Sequence, residues 1–514
     1  MAPDNQQSVL SGRERRGSIR GLIASFGGQG LCLLVACAQI AVMSRMLPPE
    51  MFGVFGMTWA ILSLLYYIKD MGLSTAVVQT LREDQQFMDS AFWLSVLGGI
   101  GLAAVVVAMG PALGWFYHNH DVAETCYKFA PMFAIGGITS HYQGIMRRRM
   151  QFVRLNAVTV IAQCVGTGGA IALAYCGYGI DALVFQTLGQ ELTCLVLLPM
   201  FCSWRPCSFS MRKDARELIS FGGNLSIFRL VQNLASTMDH VSLGLCTTPA
   251  VVGLYNRAQT LLSTPRRQLV LPLSQVMPTL LARIQENEKE FAAASANIVT
   301  ASSYVWYAFL ALIVAVPNPV LDLALGDQWN RAALIMQMLA IGEMARMPLM
   351  MINMAETQLG HAKSLRNFGL VSAPITAGGL LLGAWLGGIA NGALYMAVAY
   401  AIVQVGLLVM RLFQIRVDTP FTPRLMWKAL RGPLAFGAAL TGCFNLGALA
   451  FRELGPHAGL SAKALARYGA ALELGGALAA GAVMLGLILL FSTKARKTTR
   501  GILNDIRGAF RRRK

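Results

Sequence analysis

The sequence predicts an all-α integral membrane protein. It has fourteen transmembrane helices, two six-helix parallel-repeat lobes plus two extra C-terminal helices. Three observations carry this: extreme apolarity, a one-sided distribution of Lys and Arg, and an internal repeat. Of 514 residues, 55% are hydrophobic and 13% are charged, where a soluble domain carries about 25% charged residues. The mean hydropathy is +0.53, which excludes a soluble globular, a disordered and a fibrous chain. The net charge of +18 would point to nucleic acid in a soluble protein; here its meaning depends on position.

A bilayer core about 30 Å thick needs roughly 20 apolar residues per helix. Fourteen such runs are present, at 21–44, 52–79, 90–112, 128–146, 155–176, 180–201, 217–243, 250–281, 294–318, 332–356, 364–386, 389–410, 432–451 and 468–492. The first follows a basic segment as a signal peptide would, but with thirteen spans behind it the reading is a retained anchor. Lys and Arg test the count independently, because cytoplasmic loops are enriched in both. With both termini cytoplasmic, 31 of the 43 basic residues fall on the inner side, 6 on the outer side and 6 within spans. One missed helix would invert everything after it, so most of the positive charge is topology.

The C-terminal tail ends in Arg511-Arg512-Arg513-Lys514, with Ile502, Leu503, Ile506 and Phe510 at helical spacing. It reads equally as a basic amphipathic helix on anionic lipid and as an ordinary cytoplasmic stop signal. The ten Cys are scattered singly through apolar runs and read as packing residues, with no disulfide framework.

The internal repeat sets the domain organisation. Phe26-Gly27-Gly28-Gln29 matches Phe221-Gly222-Gly223-Asn224 at an offset of 195. Pro49-Glu50-Met51-Phe52-Gly53-Val54-Phe55 matches Pro249-Ala250-Val251-Val252-Gly253-Leu254-Tyr255 at an offset of 200. Six spans separate the copies, and an even number preserves direction, so the halves are parallel repeats. The expected organisation is a basic cytoplasmic N-terminus (1–20), an N-lobe of spans 1–6 (21–202), a C-lobe of spans 7–12 (217–413), spans 13–14 (430–492) and a basic tail (493–514). Two-lobe architectures bind substrate between the lobes and work by alternating access.

Charged residues inside spans cost around 2.5–3.5 kcal/mol each on insertion scales and mark pathways by default. The basic ones are Lys69, Arg229, Arg257, Arg266, Arg267 and Arg346; the acids are Asp70, Glu191, Asp239 and Glu343. Span 7 places Arg229, Gln232, Asn233, Ser236, Asp239 and His240 on one helix face. Span 8 does so with Arg257, Thr260, Thr264 and Arg267. Span 10 offers Glu343, Arg346 and Asn353; span 5 offers Asn156, Thr159, Gln163 and Thr167; span 2 offers Tyr66, Lys69, Asp70 and Ser74. The bland reading is interhelical glue, with Lys69 or Arg229 simply paired to an acid. The functional reading is a net cationic interior suited to an anionic ligand. Pro265, Pro272 and Pro278 in span 8 predict kinks, with Arg266-Arg267 at the break.

No Gly-x-x-x-x-Gly-Lys-Ser/Thr loop is present, nor a His-Glu-x-x-His or Gly-x-Ser-x-Gly motif, and the loops are short. The chain reads as no enzyme and as using no cofactor. His118, His120 and Asp121 cluster in an outer loop, where a solvated loop is a better reading than a metal site.

Phe221-Gly222, Asn224-Leu225-Ser226, Arg229, Asp239, Gly253-Leu254-Tyr255-Asn256-Arg257-Ala258, Pro265 and Pro278 resemble the seventh and eighth spans of polysaccharide-unit flippases. Those belong to the multidrug/oligosaccharidyl-lipid/polysaccharide superfamily. Asp70-Met71-Gly72-Leu73-Ser74 and Arg45-Met46-Leu47 with Phe52-Gly53 resemble it too, over roughly residues 18–430. The likeness is nearest to exporters of exopolysaccharide or colanic-acid-like units. The resemblance implies an inner-membrane flippase for an undecaprenyl-diphosphate-linked oligosaccharide, used in exopolysaccharide or lipopolysaccharide export. A polysaccharide polymerase and export machinery are the expected partners beside membrane lipids, and nucleic acid is not. Tyr255-x-Arg257-Ala258 resembles an element of lipid-II flippases whose arginine faces the cavity. Lys69 followed by Asp70 departs from the arginine pair of those flippases and argues against a peptidoglycan substrate.

The expected substrate-binding set is Arg257, Arg229, Arg266, Arg267, Lys69, Arg346, Asn233 and Gln163: Arg binds phosphate oxygens bidentately, and the amides face sugar. Asp70, Asp239 and Glu343 are the candidates for coupling to H+ or Na+. Two alternatives stand beside this. A drug antiporter of the same superfamily would want a cavity rich in acids, and a membrane-embedded polymerase would want larger loops.

Overall fold

The structure is a computed structural model. It describes residues 34–67, 69, 85–149, 151–207, 237–282, 287–359, 362–418, 422–454 and, with gaps at 472 and 480, 469–481. The described residues are almost entirely helical. In chain order the helices are α1 (Leu34–Met46), α2 (Pro49–Tyr67), α3 (Gln85–Phe116), α4 (His120–Arg148), α5 (Phe152–Tyr175), α6 (Ile180–Phe201), α7 (237–246) and α8 (Pro249–Ala282). There follow α9 (Glu288–Ala315), a short α10 (Pro317–Ala324), a 3-10 turn (Asp327–Ala332) and α11 (Ala333–Gln358). Residues Ala362–Asp418 form two helices, α12 and α13, broken at Gly388, and α14 is Pro423–Leu454.

Eight helical stretches among the described residues are long and apolar enough to cross a membrane. The protein is therefore an integral membrane protein. α4 and α8 have the length but not the apolarity: α4 carries Thr139, Ser140 and His141 in mid-helix, and α8 carries Arg257, Arg266 and Arg267. Gly388 has φ 57° and ψ −159°. Only glycine adopts that backbone readily, and it sits at the junction of the runs 364–386 and 389–410. α8 stays helical through Pro265, Pro272 and Pro278, so the expected break at Arg266-Arg267 is not a break in the helix.

Local chemistry explains several helix ends. The Asn119 side chain accepts from Asp121 N–H and that of Asn287 from Glu290 N–H, each satisfying a donor that the first turn leaves free. Within membranes small residues let helices approach closely; Gly99 of α3 and Gly137 of α4 do so, a Cβ at Gly99 falling 3.1 Å from Gly137 Cα.

The described residues fall into two compact units, one within 1–257 and 380–396, the other within 258–379 and 397–514. The first has a buried core around Phe92, Tyr142, Leu198 and Trp204. The second has one around Ala311, Leu440, Phe444 and Ala477. In the first unit the two copies of the Pro-x-x-x-Gly block meet. A Cβ at Gly53 would lie 2.8 Å from Pro249 Cα and closer still to its carbonyl. A Cβ at Gly253 would meet the Pro49 carbonyl in the same way. Each glycine thus seats the first turn of the other helix.

Candidate functional site

In the first unit a carboxylate of α6 gathers α2 and α4. Lys69 Nζ and Tyr66 Oη each donate to Glu191 Oε1 at 2.9 Å, and Thr139 Oγ1 donates to Oε2 at 2.9 Å. The Lys69 ammonium also lies 3.9 Å from the Tyr66 ring centroid. Its alkyl stem runs along bare backbone, for a Cβ at Gly136 would come within 2.9 Å of Lys69 Cδ. Both side chains are buried, 12% and 9% exposed. Of the two readings of Lys69, the structure has the pair; the sequence reading left its partner, Glu191, outside the site.

On α7 and α8, Asp239 Oδ1 accepts from His240 N–H at 2.8 Å and lies 2.9 Å from His240 Nδ1, while Asn256 Nδ2 lies 3.0 Å from His240 Nε2. The Arg257 guanidinium stacks on Phe52, 3.6 Å from the ring centroid. Arg257 is 6% exposed, its Nε has no hydrogen-bond partner, and it pairs with no carboxylate among the described residues. Of the polar face expected on span 5, Gln163 is half-buried on α5. Arg229, Asn233 and Asp70 lie outside the described residues.

The second unit has its own buried carboxylate. Glu343 Oε1 on α11 accepts from Arg266 of α8, from Tyr400 Oη of α13 at 2.7 Å and, at 3.5 Å, from Arg346 Nη1. Arg346 Nη1 also donates to Tyr400 Oη at 3.0 Å, whereas Glu343 Oε2 is buried with no partner among the described residues. Two arginines on one carboxylate leave the cluster net positive. Arg267 is exposed. Pro348 lacks the N–H that Met344 C=O would use in an unbroken helix; Tyr307 Oη of α9 donates to that carbonyl instead, at 2.6 Å, and Trp306 Nε1 to Glu343 C=O at 3.3 Å.

A third buried pair was not foreseen. Arg411 donates to Glu356, with both side chains fully buried. It also donates to Asn353 Oδ1 at 3.1 Å and Gln414 Oε1 at 2.9 Å, and it stacks over Phe368. The basic-residue tally assigns Arg411 to a loop and so hides it; the spacing of Asn353 and Glu356 on one face of α11 was the available signal. At the start of α4, His120, Asp121 and Glu124 converge but are exposed. There Lys128 hydrogen-bonds Glu124 and holds its carboxyl below the usual range.

The family model described as "Polysaccharide biosynthesis protein" matches residues 42–334. The chain belongs to that family. This family member is 21% identical over 279 residues to the teichuronic acid biosynthesis protein TuaB of Bacillus subtilis, covering 53% of this chain and 57% of TuaB. It is 20% identical to the lipopolysaccharide biosynthesis protein WzxC of Escherichia coli, covering 59% and 62%. It is 24% identical to the succinoglycan biosynthesis transport protein ExoT of Rhizobium meliloti, covering 71% and 74%. The chain therefore spans about six-tenths of the length of TuaB and WzxC. Its fold is that of the lipid II flippase MurJ in an inward closed conformation, with a TM-score of 0.67 at 12% identity, covering 92% of this chain and 99% of MurJ. An inward-facing multidrug resistance MATE transporter of the MOP superfamily gives 0.61 at 12% identity, covering 80% and 99%. The family member thus shares the fold of these two transporters.

Proposed function

We propose that this protein is a flippase of the bacterial inner membrane that carries an undecaprenyl-diphosphate-linked oligosaccharide repeat unit outward for exopolysaccharide or lipopolysaccharide export. It does so by alternating access of two six-helix lobes, with spans 13 and 14 appended and both termini cytoplasmic. It performs no catalysis of its own and hands its cargo to a polysaccharide polymerase and export machinery. Family membership and relatives named for polysaccharide biosynthesis and transport support the substrate class.

One observation carries the binding role: Arg257 is buried with its charge met by an aromatic face and, among the described residues, by no carboxylate. A buried, uncompensated cation is costly, and a phosphate oxygen offers it the bidentate partner it lacks. Arg229 and the net-positive cluster of Arg266 and Arg346 around Glu343 add charge for a diphosphate. Gln163 and Asn233 offer amides to sugar, and Asp70, Asp239 and Glu343 remain the candidates for ion coupling. Arg257, a buried cation that meets no carboxylate among the described residues, speaks against a drug-cation antiporter.

The test is Arg257→Ala, with Arg257→Lys as a charge-retaining comparison, in cells whose surface polysaccharide depends on this gene. At equal membrane abundance Arg257→Ala abolishes export and Arg257→Lys restores part of it. Normal export by Arg257→Ala removes the residue from the mechanism.

A further inference from the structure

The two matched halves of the chain each hold a buried carboxylate of the same construction. In one, Glu191 Oε1 accepts from the cation Lys69 and from the hydroxyl of Tyr66. In the other, Glu343 Oε1 accepts from the cation Arg266 and from the hydroxyl of Tyr400. Lys69 and Arg266 are 197 residues apart, three short of the offset of 200 at the matched block that precedes them, so they lie about one helical turn from strict repeat equivalence on spans 2 and 8. Glu191 and Tyr400 lie on spans 6 and 12. The shared element is a cation parked on a tyrosine-supported carboxylate.

We propose that Glu191 is a proton-binding site worked by ligand exchange: an anionic phosphate takes the Lys69 ammonium, and the carboxylate left behind takes a proton. The inference rests on the flippase reading, and it deepens it by naming a residue outside the expected coupling set. The chemistry follows from the site. Lys carries a compact charge on a flexible four-carbon stem, and here the stem lies along the bare backbone of Gly136. Once the ammonium moves to a phosphate, the donors left on Glu191 among the described residues are the neutral Tyr66 and Thr139. A buried carboxylate without a counter-charge is strongly disfavoured, so one proton from water binds a Glu191 oxygen. Lys69 keeps its own proton, and no other bond forms or breaks. Among the described residues the groups acting on Glu191 are Tyr66 of α2, Lys69 just beyond that helix, and Thr139 of α4, and Cys194 lies one turn further along α6. Proton and phosphate binding are then linked reciprocally.

The experiment uses the full chain in lipid nanodiscs with undecaprenyl diphosphate as the probe. Affinity is measured at pH 8 and pH 5.5, and the carboxylic acid C=O stretch is followed by infrared difference spectroscopy. Wild type binds about tenfold or more tightly at the lower pH and gains an acid band when probe is added at pH 8. Glu191→Gln binds alike at both pH values and shows no such band, whereas Glu343→Gln keeps it. Lys69→Gln guards against misfolding of the first variant: with the cation gone, the acid band is present before any probe is added. Probe binding by wild type with no acid band, or with a band that Glu191→Gln retains, overturns the inference and leaves the flippase reading intact. No acid band in probe-free Lys69→Gln overturns it as well. Absence of any affinity in wild type overturns the flippase reading and this inference with it.

Discussion

Replacing Gly53 by Ala isolates the contact between the two copies of the repeated block. The new Cβ would stand 2.8 Å from Pro249 Cα and nearer to its carbonyl; the reciprocal change at Gly253 puts a Cβ 2.8 Å from the Pro49 carbonyl carbon and 3.2 Å from Gly53 N. Carbon atoms settle at about 3.5–4.0 Å and the carbonyl oxygens lie closer still to the new Cβ, so the backbones must part by roughly 1.5 Å. Both partners are main chain, and no rotamer change relieves the clash. Overpacking of this kind costs about 1–3 kcal/mol, while Gly to Ala in a helix returns at most about 1 kcal/mol. The expected outcome is a net loss of about 1–2 kcal/mol for each variant. The double variant loses less than the sum of the two, because the first substitution has already separated the pair. The measurement is denaturant unfolding in mixed micelles, with Gly101→Ala on α3 as control. A Cβ at Gly101 has nothing within 4 Å, so that variant is expected to be neutral or slightly stabilised. Gly53→Ala and Gly253→Ala variants as stable as Gly101→Ala would refute the packing argument.

Further outcomes follow from single groups. Glu356→Ala leaves Arg411 fully buried without its counter-charge and costs about 3–5 kcal/mol; the double variant Glu356→Leu/Arg411→Met costs less in the same unfolding assay. Burial, with a smaller push from Asp327, raises the Asp322 carboxyl above its ordinary 3.8 against the Asn330 hydrogen bond. Its contribution to stability is therefore present below about pH 3.8 and lost as pH rises through the raised value. Asp322→Asn should raise the melting temperature at pH 7 and flatten its pH dependence through that window. Tyr307→Phe removes the donor to the Met344 carbonyl that Pro348 leaves open; the unpaired carbonyl should cost about 1–3 kcal/mol, seen as a lowered melting temperature.

Much of the site's cast was legible beforehand. A charge within an apolar run stands out in any sequence, as Lys69, Arg257, Arg266, Arg346, Asp239 and Glu343 do. Their pairings were not legible, because a partner 122 residues away, as Glu191 is from Lys69, leaves no local pattern. Tyr400 and Trp306 escaped notice for a related reason: an aromatic in an apolar helix is ordinary until a carbonyl or carboxylate is found against it. Arg411 was hidden because the rule that orients loops counts a helix-end arginine as solvated, and only packing by α11 and α12 makes it a buried cation.

By itself, the sequence determined the material: helices long and apolar enough for a bilayer, a glycine where two of them turn back, and charged residues set within the apolar runs. These follow from transfer free energies and backbone sterics, which act residue by residue. The net cationic interior they led one to expect is not what burial shows, for among the described residues the buried acids Asp89, Glu191, Asp239, Glu343 and Glu356 outnumber the buried cations Arg257 and Arg411. Tertiary structure alone decided how that charge is spent. It placed four cations on three carboxylates, stacked Arg257 on an aromatic ring and left one oxygen of Glu343 without a partner among the described residues, because electrostatic pairing depends on distance in space and not on distance along the chain.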